Sequence, residues 1–295
     1  MPSAEAKTRL ALNNILLATD FSDASRTAMA FAAALARRYD SKIFVANVVE
    51  ETPITSVPMD YLPPEVEREK SLARRRMEEF LKTDPLQNLK SEVLIEPGFI
   101  WPVLEKAIEE HKVDLIVLGT HGRGAVWRLM FGSVAEEICR HATCPVMTIG
   151  PKVKPPSAEN GRIKKILVAT DFSDGSLHGL QYALALAEDQ DARLTLLHVV
   201  DPPSLPTNVT GQMIAESDKK LRLLIDVDEL PTKRPIFVTL VGFPPDQILA
   251  LAARENVDLI VMGMHNATGT ASHWPFEVFS HIVARAVCPV LSVRA

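Results

Sequence analysis

Three cysteines in 295 residues cannot build a disulfide framework, and two of them (Cys144 and Cys288) precede the last apolar run of each half. The expectation is a chain with reduced thiols in the cytoplasm. Aromatic residues make up only 6% of the chain, and no apolar run approaches the roughly eighteen residues that a membrane helix needs. Met1–Arg9 is polar and leads into no apolar core, so no signal-peptide pattern is present. Positive charge is also scarce relative to negative. The net charge of −5 speaks against nonspecific nucleic-acid binding. Arg74, Arg75 and Arg76 stand among Glu67, Glu69, Glu78 and Glu79, which reads as a solvated helix face rather than a basic patch. Neither a Walker lysine nor a GxGxxG fingerprint follows any glycine-rich turn.

What is present is an internal repeat. NILLATDFSDAS at Asn14–Ser25 returns as KILVATDFSDGS at Lys165–Ser176. VDLIVLG at Val113–Gly119 returns as VDLIVMG at Val257–Gly263, and CPVMTI at Cys144–Ile149 returns as CPVLSV at Cys288–Val293. The first pair lies 151 positions apart and the others 144, so the second copy lacks seven residues after its second strand. Two domains of one fold follow, over 1–150 and 163–295, with a linker of prolines, lysines and small polar residues at 151–162.

Each copy alternates strand and helix. In the first, strands are expected at Asn14–Thr19, Lys42–Val49, Ser91–Glu96, Asp114–Leu118 and Pro145–Ile149. Helices are expected at Ser22–Tyr39, Pro64–Lys82, Ile100–His111 and Ser133–His141. Several strands are continuous apolar runs, the pattern of parallel strands covered on both faces. The fold class is therefore α/β, as two doubly wound domains in tandem.

The functional signal sits where the fourth strand ends. Gly119-Thr120-His121-Gly122 leads, after nine further residues, to Gly132-Ser133 at a helix start. Gly119 and Gly122 can take positive φ and leave no Cβ between backbone N–H groups and a ligand. The N–H groups of a helix start point outward with the positive end of the dipole behind them. Ser133 can cap that helix or donate to a phosphate oxygen. Together these read as a site for a phosphate chain, against the alternative of a tight βα turn with no ligand. Asp20, at the end of strand one, falls on the same sheet edge; its alternative role is a turn carboxylate before Ser22.

These residues resemble the universal stress protein family over nearly the whole chain: the ATDFS opening, the DLIVLG strand, the glycine–serine motif and the CPV closing strand. The resemblance implies an adenine-nucleotide-hydrolase-like fold in each domain, with five parallel strands in the order 3-2-1-4-5. It implies ATP, AMP or ADP as ligand, together with a divalent cation such as Mg2+. It assigns Asp20 to the adenosine, flanked by Ala18 and Thr19, and Val48 and Leu118 to the adenine slot. Gly119, His121 and Gly122 would line ribose and phosphates, and Gly132, Ser133 and Val134 would hold the phosphates. It implies domains that pair through their last strands, here as a pseudo-dimer within one chain, and it leaves room for a homodimer.

The second copy departs from the motif. Asp171 and Gly263 remain, but Asn266 replaces the second glycine, and Phe276-Glu277 stands where Gly132-Ser133 stood. A phenylalanine at a helix start fills the phosphate space and a glutamate repels its charge. The second site is expected to reject triphosphate while keeping an adenosine-sized pocket. No catalytic residue and no metal site is assigned: His265, His273 and His281 lack ligand spacing, and Cys139 and Cys144 read as inert. A nucleotide-binding stress or signalling protein is the leading reading, with a slow ATPase or phosphotransferase and a ligand-free scaffold as alternatives.

Overall fold

The computed structural model describes residues 10–50, 64–82, 84–120, 132–156, 162–201, 211–225, 233–264 and 273–294. The chain divides into two compact units, one holding Leu12–Gly161 and the other Arg162–Ala295.

The N-terminal unit runs β1 (Asn14–Ala18), α1 (Asp23–Tyr39), β2 (Lys42–Glu50), α2 (Pro64–Leu81), β3 (Ser91–Gly98), α3 (Ile100–Glu110), β4 (Leu115–Gly119), α4 (Ser133–His141) and β5 (Val146–Ile149). A 3-10 turn at Asp84–Leu86, unforeseen from the sequence, precedes β3. The sheet order is β3-β2-β1-β4-β5, parallel at every pairing. Ile15, Leu16 and Leu17 are fully buried in succession. Because consecutive strand residues face opposite sides, both faces of β1 are covered. On α2, Ala73, Met77 and Phe80 are buried, whereas Arg74, Arg75 and Arg76 face solvent. The arginines are a solvated face.

The C-terminal unit repeats the plan with β6 (Lys165–Ala169), α5 (Asp174–Gln190), β7 (Arg193–Val200), α6 (Gly211–Leu223), β8 (Ile236–Val241), α7 (Pro244–Glu255), β9 (Leu259–Met264), α8 (His273–Arg285) and β10 (Val290–Arg294). Its sheet runs β8-β7-β6-β9-β10, again parallel throughout.

Local chemistry explains why both copies fold alike. Ser22 caps α1 by accepting from Ser25 N–H, and Ser173 caps α5 by accepting from Ser176 N–H. Both helices end on an aspartate in the left-handed region, Asp40 at φ 55° and Asp191 at φ 51°. The aspartate of each VDLIV motif is structural. Asp114 Oδ2 accepts from the N–H groups of Asn13 (2.7 Å) and Asn14 (2.9 Å). Asp258 does the same for Lys164 (2.8 Å) and Lys165 (2.9 Å). Each carboxylate ties the chain leading into its fourth strand to the start of its first, which sets the register of the sheet's centre.

Candidate functional site

In both sheets the strand order reverses between the first and fourth strands, the place where doubly wound sheets form a crevice. In the N-terminal unit that is the junction of β1 and β4, where Ala18 pairs with Leu118. Thr19, Asp20, Gly119 and Thr120 continue from these two strand ends. Val48 lies on β2 two residues beyond Ala46, the partner of Ala18, and so overhangs the end of β1. The fold thus gathers Ala18, Thr19, Asp20, Val48, Leu118 and Gly119 at one sheet edge. Val48 is half-buried there, whereas Leu118 is almost wholly buried.

Asp20 is held by the turn that follows it. Its Oδ1 accepts from Ser22 N–H at 3.0 Å and from the Ser25 hydroxyl at 2.7 Å. The turn role weighed from the sequence is therefore real. Both of these bonds fall on Oδ1. Partial burial pushes the Asp20 carboxyl up, but the hydrogen bonds from Ser22 and Ser25 outweigh it and hold it below its ordinary value. The group is an anion at neutral pH.

Two positions at this edge, Phe21 and Asn47, were not singled out from the sequence. Phe21 adopts φ 66°, as does Phe172 in the other unit, a costly conformation for a bulky residue. Thr19 Oγ1 accepts from Phe21 N–H at 2.9 Å and steadies the turn. Phe21 packs edge-on against Phe80, 5.8 Å between ring centroids. Asn47 Nδ2 donates to Thr19 O at 2.8 Å, and His198 bonds Thr170 O at 2.9 Å from the equivalent place. The signal that could have found them is the repeat itself, which keeps Phe21 and pairs Asn47 with a second polar residue.

The glycines carry a steric explanation. A Cβ at Gly119 would lie 2.6 Å from the backbone carbon of Ala24, so this residue is bare because α1 crosses it. Its φ is not positive; among the described glycines only Gly98 and Gly242 have positive φ. The expectation of a left-handed Gly119 is therefore corrected. Gly263 is still more crowded, 1.9 Å from Gly175 O. A Cβ at Gly132 would lie 2.8 Å from Thr120 O, and Gly132 N–H donates to that same oxygen at 3.2 Å. The start of α4 is thereby pinned to the end of β4.

Gly132, not Ser133, is the N-cap of α4, and it makes no side-chain cap bond. Ser133 is the first helical residue and is exposed, so its hydroxyl is open to a ligand rather than committed to capping. Val134 is also exposed, at 37%. A helix leaves its first N–H groups without intrahelical partners, and α4 presents them beside the β1–β4 crevice. His121, Gly122, Arg123 and Arg128 lie outside the described residues.

The second copy corrects one expectation. Phe276 does not sit at a helix start: α8 begins at His273, and Phe276 is buried at 8% exposure one turn inside. The helix has grown backwards over the place where α4 begins. His265 and Asn266 lie outside the described residues. Among the described residues no three His, Cys, Asp or Glu side chains form a metal-holding group. Burial pushes the thiols of Cys144 and Cys288 up to about 12, which suppresses the reactive thiolate. No described helix is long and apolar enough to cross a membrane.

The model of the universal stress protein family matches residues 12–150 and 162–294. A universal stress protein of Methanocaldococcus jannaschii is 30% identical over 139 residues, covering 44% of this chain and 82% of that protein. A putative universal stress protein of Staphylococcus aureus is 32% identical over 138 residues, covering 46% and 82%. The crystal structure of a universal stress protein from Archaeoglobus fulgidus has the same fold, with a TM-score of 0.69 at 19% identity and 97% of each chain covered.

Proposed function

Because the chain belongs to the universal stress protein family, we propose that its N-terminal unit binds an adenine nucleotide whose occupancy governs the protein's interactions in a stress or signalling response. The observation that carries this reading is the pairing, at one crevice, of a fixed carboxylate with an open helix N-terminus. Asp20 Oδ2 can accept from ribose hydroxyls. The N–H groups of Ser133 and Val134, with the Ser133 hydroxyl, can donate to phosphate oxygens. The two halves of the site have opposite polarity, as a nucleoside joined to phosphates requires.

Val48 and Ala18 offer the apolar contact for a base, and a divalent cation such as Mg2+ would be carried on the phosphate oxygens. The proposal includes the pairing of the two units through β5 and β10, since a short apolar last strand left bare is an aggregation hazard. Mass spectrometry of the small molecules that co-purify with the full chain tests the central claim. ATP, ADP or AMP is the expected result. A chain that purifies empty and takes up none of the three in calorimetry would leave the glycines with only their steric role.

A further inference from the structure

The C-terminal unit holds a cavity of about 230 Å3 at its own strand reversal, close to the small end of the roughly 300–1,000 Å3 typical of ligand sites. Leu197, Val199, Ile248, Met262 and Val278 give it apolar walls. Its charged lining is acidic: Asp171 contributes an exposed carboxylate, and no lysine or arginine lines it among the described residues.

His198 adds a defined acceptor. Its Nδ1 faces Thr170 O at 2.9 Å; a carbonyl can only accept, so Nδ1 carries the proton and Nε2 is the acceptor. Burial pushes the His198 imidazole down, against the opposing pull of Thr170 and Asp171 and alongside the repulsion of Lys220. The imidazole is neutral at neutral pH. The hydroxyls of Thr170 and Ser176, also in the lining, bond each other at 2.8 Å.

The helix that flanks the cavity has lost its phosphate-binding end. At Phe276, Glu277 and Val278, which answer to Gly132, Ser133 and Val134, the chain is already a turn inside α8. Backbone N–H groups that far into a helix are spent on intrahelical bonds. Glu277 adds an exposed carboxylate at the same place. The cavity therefore keeps room, apolar walls and acceptors, while among the described residues it offers neither cationic side chains nor open helix donors to an anion.

We propose that this cavity is a second small-molecule site, for a phosphate-free ligand, neutral or cationic, with a flat apolar body and N–H or O–H donors. The body packs between Val199, Ile248 and Met262, and its donors meet the Asp171 carboxylate and His198 Nε2. Attached phosphate is rejected by like charge, whose cost at close range corresponds to about a ten-fold loss of affinity or more.

The probes are adenosine, tryptamine and AMP, titrated into full-length protein by calorimetry, with and without Asp20→Ala together with Ser133→Glu, which remove the carboxylate and the phosphate end of the proposed N-terminal site. Adenosine or tryptamine is expected to bind one site per chain in that double variant, and which of them binds tells a diol-bearing base from an organic cation. AMP should bind that site about ten-fold more weakly than adenosine, or not at all. Val278→Trp, which fills the cavity, should remove the binding. Asp171→Asn, nearly isosteric, should weaken it several-fold and narrow the gap to AMP, and this reading stands even if the tryptophan variant does not fold. Binding of neither probe, equal binding of AMP, or indifference to Asp171→Asn together with a folded Val278→Trp would overturn the proposal. Because these readouts follow Val278 and Asp171, they succeed or fail independently of the N-terminal nucleotide.

Discussion

The Ser25 hydroxyl donates to Asp20 Oδ1 at 2.7 Å and fixes a carboxylate at the end of β1. In the other unit the relationship is broken. Ser176 turns instead to Thr170 Oγ1 at 2.8 Å, and Asp171 is left exposed. The same two residue types, five positions apart in each copy, thus make different bonds: Asp171 Oδ1 is held by Ser173 instead, through its N–H at 3.0 Å and its hydroxyl.

Ser25→Ala should raise the Asp20 pKa toward the ordinary carboxylate value, read by NMR titration. A depressed folded pKa contributes stability that is fully present above the unfolded value near ~3.9 and is lost as pH falls through the folded value. In the variant that loss should be complete at higher pH and be smaller in total. The cost at neutral pH should be about 1 kcal/mol, the usual worth of one hydrogen bond. Nucleotide affinity should fall several-fold. An unmoved Asp20 titration would mean the bond does not form in solution.

Calorimetry with Mg-ATP should show one site per chain, because α4 presents an open start and α8 does not. Ser133→Glu tests this without disturbing packing, since residue 133 is exposed. A carboxylate in a first turn favours the helix by roughly 0.3–1 kcal/mol, so thermal stability should hold or rise while ATP affinity collapses. Gly132→Phe is a poorer probe, because its Cβ would already lie 2.8 Å from Thr120 O.

Gly119→Ala should destabilise the N-terminal unit by about 1–3 kcal/mol, the usual cost of overpacking, since its Cβ would press on the Ala24 backbone. Gly211→Ala, where a Cβ meets nothing within 4 Å, is the control and should be neutral. Urea unfolding of the two variants decides. Equal stability would show that α1 moves aside freely.

Val290→Asp places a charge at the first residue of an apolar last strand, where residue 290 is 1% exposed. Aggregation or loss of the compact state is expected in small-angle scattering. A compact, monodisperse variant would argue against pairing through β5 and β10.

The sequence by itself determined the repeat, the α/β class and almost every element. Apolar runs such as ILL in β1 and LIV in β4 are local statements of burial, and capping serines and aspartates are local statements of helix ends. The bounds of α4 were legible to the residue, and those of β1, β2 and α2 within one. Only the tertiary structure decided what the motif residues do. Gly119 is bare because a helix remote in the sequence crosses it, and Asp114 is conscripted by the N–H groups of residues 100 positions away or more. No local pattern encodes either contact. The start of α8 was misread for the same reason: aligning the copies put Phe276 where Gly132 stands, but burial of its ring drew the helix back a full turn. Whether a glycine loop is a ligand cradle or a packing device depends on what lies across from it, and that neighbour is supplied by the fold.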